Sequence, residues 1–220
     1  MTNSVTKVAS ILLGIGLLVD MDLGLGNAQT EISSSFPAET VQSWATVGAR
    51  PGWFRRGEHL FVFRRFGKSQ FLPAFLVRSW KPGALAKLPS PSIAFGLEFA
   101  GTGLANQDLR DLRHLVNLHT LKIANTRVTN GGLKHVAHFG DLEVLALNDT
   151  MITGLNELTR LKRLQSLRLS NTKITDSGLK EVGKLKSLWL LDLSYTRIRD
   201  EALREISTVE GLRELHLAPK

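Results

Sequence analysis

The chain has 220 residues, 43% of them hydrophobic and 22% charged, with a formal net charge of +8 and a pI near 10. That composition supports one elongated domain or two small ones, and it is not the composition of a disordered chain. Cysteine is absent, which excludes a disulfide framework, a zinc–thiolate centre and a cysteine nucleophile.

Residues 1–28 have the layout of a secretory signal peptide. Lys7 precedes a 12-residue apolar run from Val8 to Val19, and Gly26 and Ala28 offer a small-residue cleavage site before Gln29. The run is well short of the ~20 residues a spanning helix needs, and Asp20 and Asp22 close it, so no transmembrane segment is expected. The other reading is a buried N-terminal helix, which the two aspartates favour. Export implies a secreted or periplasmic protein that does not meet nucleic acid. Acidic protein surfaces, anionic lipid headgroups and cell-envelope polymers are then the natural counterparts of a basic surface.

Residues 29–96 do not repeat. Within them, residues 39–80 hold three of the four tryptophans and six of the ten phenylalanines. A helix is predicted over 38–47, a turn at Gly48–Trp53, and strands near 59–66 and 70–79. Arg55, Arg56, Arg64 and Arg65 alternate with Trp53, Phe54, Phe61, Phe63 and Phe66. Arginine interleaved with aromatics can hold an anionic polymer. Strand alternation gives the simpler account, with the rings turned inwards and the arginines keeping an outer face soluble.

Residues 97–220 repeat. Units 97–120, 121–144, 145–166, 167–190 and 191–214 share one pattern, and a sixth begins at Leu215. Four units have 24 residues and the third has 22. The first and third residues of each unit are apolar, as in a short strand, and later apolar residues fall at helical spacing. The sixth residue is always threonine: Thr102, Thr126, Thr150, Thr172 and Thr196. A hydroxyl there is expected to satisfy backbone groups left without a ladder partner where the chain leaves the strand. Asn106, Asn130, Asp176 and Asp200 precede the helical stretches and are expected to cap their first turns.

The pattern L-x-L-x-x-T-x-I-T-D-x-G-L-x-x-V-x-x-L-x-x-L over residues 167–188 resembles bacterial leucine-rich repeats of a class in which threonine replaces the usual asparagine or cysteine. The resemblance covers 97–220. It implies an α/β fold: a right-handed leucine-rich-repeat solenoid with a parallel concave sheet and convex helices. An open solenoid end exposes its core, so 29–96 is expected to be a small α+β N-terminal cap. The alternative is an independent ligand-binding module. The resemblance implies a binding scaffold and leaves its partner open.

The concave face is expected to expose the last, second, fourth and fifth residues of each unit, mostly small residues of mixed charge. One place differs: Trp189, Leu190 and Tyr195, the only tyrosine, flanked by Arg168, Asp192, Arg213 and His216. Aromatics with arginine are favoured anchors in protein interfaces, so these residues are the candidate partner-binding site. The second candidate is Arg55, Arg56, Arg64 and Arg65, for an anionic cell-envelope polymer. His114, His135, His138 and Asp111 would meet on the convex face, but without ligand spacing no metal or other cofactor is expected. No catalytic motif is present, and the chain is read as a non-enzyme. A last strand at Leu215–Leu217, blunted by Pro219 and Lys220, predicts a monomer with a weak tendency to associate end to end.

Overall fold

The computed structural model describes residues 35–55, 61–62 (backbone only) and 71–218. The N-terminal segment 1–34, Arg56, Arg64, Arg65, Pro219 and Lys220 lie outside the described residues. No helix among the described residues is long and apolar enough to cross a membrane.

A nine-stranded sheet runs through the molecule in the order β2-β1-β3-β4-β5-β6-β7-β8-β9. Helix α1 (Ala38–Ala45) precedes β1 (Ala49–Arg55), β2 (Phe61–Val62) and β3 (Phe71–Val77). β1 pairs antiparallel with both of its neighbours, whereas every pairing from β3 to β9 is parallel. The repeat strands are β4 (Phe95–Glu98), β5 (Leu118–Lys122), β6 (Val144–Ala146), β7 (Ser166–Arg168), β8 (Leu190–Asp192) and β9 (Glu214–His216). Their first apolar positions stand in register, Leu97, Leu121, Leu145, Leu167, Leu191 and Leu215, and Phe75 of β3 heads the same row. The cap thus supplies the solenoid with its missing preceding strand.

Aromatic packing explains the cap's composition. Phe75 is stacked between Phe36 and Trp44, at centroid distances of 4.5 and 4.6 Å, and both rings meet Phe95 edge-on. Trp44 donates through Nε1 to Pro89 O at 3.0 Å. Trp80 packs edge-on against Phe99 and donates to Asp108 Oδ1 at 3.0 Å, tying the cap to the first coil. The predicted helix and the 70–79 strand are present, but the predicted turn at Gly48–Trp53 is mostly strand. Only Gly48, at φ 66, makes the bend, and β1 then pairs with β3 over its whole length. Pro51 stands opposite Phe75 of β3, and among the described residues β2 meets β1 at Trp53 and Phe54.

On the convex side lie the short helices α2 (Asn106–Asp111), α3 (Asn130–Val136), α4 (Asp176–Leu179) and α5 (Asp200–Ile206), with 3-10 turns at Asn156–Arg160 and Val182–Lys184. The five threonines act alike. Each hydroxyl donates to the carbonyl three residues earlier, at 2.5–2.7 Å, closing the corner where the chain leaves the strand. Thr126, Thr150 and Thr172 are buried there.

Three of the four residues predicted as caps do something else. Asn106, Asn130, Asp176 and Asp200 are the first helical residues, and the residue before each is the N-cap. Asn106 reaches the next coil, where its Oδ1 accepts from Thr129 N (3.0 Å) and its Nδ2 donates to Thr129 Oγ1 (2.8 Å). Asn130 holds Thr153 in the same way at 2.9 and 2.7 Å. Asp176 accepts from Arg199 N and Nε at 2.8 and 2.7 Å. These are clasps between coils, and they engage backbone donors that the following helix leaves free. The 22-residue coil has no such residue, and its backbone lies directly against Gly178, where a Cβ would overlap Thr153 O.

The fifth coil differs at Leu203, which holds the position of the buried Leu133 and Leu179 of earlier coils yet is 37% exposed, while Ala202 beside it is buried. Among the described residues, no helix follows α5 to cover it.

Candidate functional site

The concave face is built from two side-chain rows on the strands. One row reads Gly96, Thr120, Val144, Ser166, Leu190, Glu214, and the other Glu98, Lys122, Ala146, Arg168, Asp192, His216. Both were expected to face solvent, yet Thr120, Lys122, Ser166, Leu190 and Asp192 are all buried, Leu190 at 2% exposure. Register partners stand about 4.8 Å apart on either side of each residue, so neighbouring side chains cover it from both sides. Leu190 is therefore packing, and Asp192 offers a partner little of its carboxylate.

At the cap end, Phe54 lies over Gly96, where only a glycine leaves room for the ring. Lys122 Nζ sits 3.8 Å from the centroid of that ring and 3.9 Å from Glu98 Oε2. Burial lowers the Lys122 pKa to about 8; Glu98 opposes the shift and Arg168 adds to it. Trp53 and Phe54 are both buried, so neither ring is free to stack on a polymer. Arg55 is exposed.

Further along, Arg168, Asp192 and His216 occupy adjacent register positions. Burial disfavours the Arg168 charge, and Asp192 and then Glu214 offset that cost. Asp192 Oδ1 accepts from Ser194 N at 3.0 Å, and His216 Nε2 lies 3.8 Å from Glu214 Oε2. The Arg168 Nε is buried without a partner. Above this row, Ala100, Ala124, Asn148, Ser170, Ser194 and Ala218 are half-exposed, leaving a shallow trough floored by small residues.

Trp189 and Tyr195 do not form one cluster, because they flank β8 at its two ends. Trp189 is half-buried at the strand entry, beside an open cleft of about 570 Å³ lined by Gln165, Ser187, Gly211, Arg213 and Glu214. Tyr195 is 50% exposed at the exit. Its backbone lies at φ 58, in line with Gly101, Asn125, Asp149 and Asn171 of the other coils, all at positive φ. Glycine, asparagine and aspartate are the residues that adopt this conformation readily. That series was visible in the sequence, and tyrosine is the one member out of character.

The convex histidines do not converge on a metal site. His114 spends its ring nitrogens on Asp111 O and Leu88 O, and His138 on Lys134 O and the Arg113 guanidinium. The His135 pKa is lowered, first by burial and then by Lys134, Arg113, His138 and Arg110, surroundings that would repel a cation. Among the described residues no group of three or more possible ligands comes together.

The chain has the fold of a right-handed leucine-rich-repeat solenoid with an N-terminal cap. A family model described as "Leucine Rich repeat" matches residues 162–183. No protein among those of curated function matches the chain. Among solved structures, it is similar to an internalin (inlF) of Listeria monocytogenes, 22% identical, with a TM-score of 0.52 over 63% of this chain. That match spans only 37% of the internalin chain. It is also similar to internalin C2 (inlC2) of the same organism, 16% identical, with a TM-score of 0.51 over 85% of this chain and 96% of that one. At these identities the likeness is one of fold.

Proposed function

We propose that the chain is an exported scaffold that binds a protein partner in the concave trough. The observation that carries the reading is the row Arg168–Asp192–His216 beneath the small residues Ser170 and Ser194, with Trp189 and Arg213 at the strand entry and Tyr195 at the exit. Asp192 holds the Arg168 charge in place from below, and Arg168 and Arg213 offer a partner fixed donors to match by complementarity. A trough floored by alanine and serine admits protruding side chains, and among its described residues no ladder of one charge sign runs along it to suit a polyanion. Export rests on Lys7 and the apolar run Val8–Val19, and a monomer is the expected state.

A photoreactive phenylalanine analogue placed at Ser170 tests the reading, with Lys180 on the convex face as its control. Crosslinking in intact cells should yield a discrete protein adduct from residue 170 and none from residue 180. Adducts from residue 180 alone would sink the concave assignment.

A further inference from the structure

A second surface adjoins the exit of the trough, along the edge where the chain leaves each strand, and shares Tyr195 with it. The seventh residue of successive coils reads Arg127, Met151, Lys173 and Arg197, all exposed, with Met151 at 57%. Tyr195, two residues before Arg197, projects from the same edge. Among the described residues none of these three cations is held in an ion pair. The carboxylates nearby are otherwise engaged: Asp149 accepts from Asn171 Nδ2 at 2.7 Å, and Asp176 is clasped by Arg199. Asp200 and Glu201 belong to the first turn of α5, and Glu201 lies 4.0 Å from Arg199.

Tyr195 adds an independent observation. A bulky side chain at φ 58 is strained, and the other coils avoid the strain with glycine, asparagine or aspartate. Half of the tyrosine is exposed, so burial of the ring in this chain does not compensate for the strain. Strained residues of this kind concentrate where a surface is used.

We infer that this edge docks an extended acidic segment of a protein partner, with acidic residues on Arg127, Lys173 and Arg197 and apolar residues on Met151 and Tyr195. Stacked coils set these positions about 4.8 Å apart at the strands, so one extended segment can follow them in order. The cations are interrupted by Met151 and by the Asp149 carboxylate, which a uniform polyanion would have to pass without compensation. Tyrosine, methionine and arginine are enriched in protein interfaces. The chemistry therefore favours an acidic, partly apolar peptide over a nucleic acid, a glycan or a lipid surface.

The test uses the full chain and a fluorescein-labelled synthetic peptide repeating Glu-Leu-Asp-Ser, followed by fluorescence anisotropy, with a peptide repeating Lys-Leu-Lys-Ser as control. The acidic peptide should bind saturably and the basic one should not. Combining Arg127→Glu, Lys173→Glu and Arg197→Glu should weaken binding at least about tenfold, while Lys180→Glu on the convex face leaves it unchanged. Tyr195→Asn should weaken binding about fivefold and raise the melting temperature by roughly 2–4 °C, because strain is relieved as an anchor is lost. Absence of saturable binding by the parent would overturn the inference, and so would an unaffected triple variant. If heparin displaces the peptide and binds parent and Tyr195→Asn equally, the edge is a polyanion surface and the inference also fails.

Discussion

Replacing Thr172 by valine keeps the side-chain volume and removes only the hydroxyl. Thr172 is 2% exposed, and its Oγ1 donates to Leu169 O at 2.7 Å. The same carbonyl also accepts from Thr172 N at 3.2 Å, so the substitution leaves it with one bond of two. The cost should therefore lie at the lower end of the 1–3 kcal/mol expected for a fully orphaned buried group, at about 1–1.5 kcal/mol. In a chain of this size each kcal/mol moves the melting temperature by roughly 2–4 °C, giving a loss of about 2–6 °C. Thr150 is equally buried, but the bond from its Oγ1 is the one that Leu147 O accepts, so Thr150→Val should cost more than Thr172→Val, towards about 3 kcal/mol. Thr102 and Thr196 make the same bond but are half-exposed, so water replaces the lost donor and the cost should fall to about half or less. Differential scanning calorimetry on the four single variants reads the ordering directly. Equal losses at buried and half-exposed threonines, or none at all, would refute the argument from carbonyl satisfaction.

Three other outcomes follow from the packing. Gly178→Ala should destabilise by about 1–3 kcal/mol or more, read as the urea midpoint, because its Cβ would meet the Thr153 carbonyl, whereas Gly140→Ala, with open space around it, should change little. Lys122 has its folded pKa lowered to about 8 against an unfolded value near 10.5, so below pH 8 both states are protonated and the burial penalty is present in full. Between pH 8 and about 10.5 the unfolded chain binds the extra proton, so the parent's stability should rise there relative to Lys122→Met; a flat difference across that range would contradict the assignment. Asp176 has its pKa lowered by hydrogen bonds from Arg199, first the backbone N–H and then the side chain. The stability gap between parent and Asp176→Ala should be present at neutral pH and close as pH falls through the folded Asp176 pKa, followed by thermal melts in citrate buffers.

The repeat was legible because its period is set by one local rule per position: apolar residues for the core and a hydroxyl for the corner. Asn106, Asn130 and Asp176 were harder, since a cap and an inter-coil clasp call for the same short polar side chains, and only the stacking of coils decides which donor they reach. β1 was hidden because Pro51 and Gly52 are turn formers by local propensity, and its pairing with β3 is a tertiary effect. In the candidate site, the neighbourhood of Arg168, Asp192 and His216 follows from the period alone. The burial of Leu190 does not, because it depends on how its register neighbours pack over it. The separation of Trp189 from Tyr195 was available from strand geometry, and so was the series Gly101, Asn125, Asp149, Asn171 that marks Tyr195 as strained.

The concave assignment is tested most directly by filling the trough. Ser194→Trp places an indole beside Arg168 and Asp192 without altering the core, and Lys180→Trp adds the same bulk to the convex face. Titrating each variant and the parent against the purified protein recovered by crosslinking from residue 170 gives the comparison. The account predicts at least about a tenfold loss of affinity for Ser194→Trp, as expected when an interface centre is obstructed, and no change for Lys180→Trp. Equal affinities for Ser194→Trp and parent would contradict it.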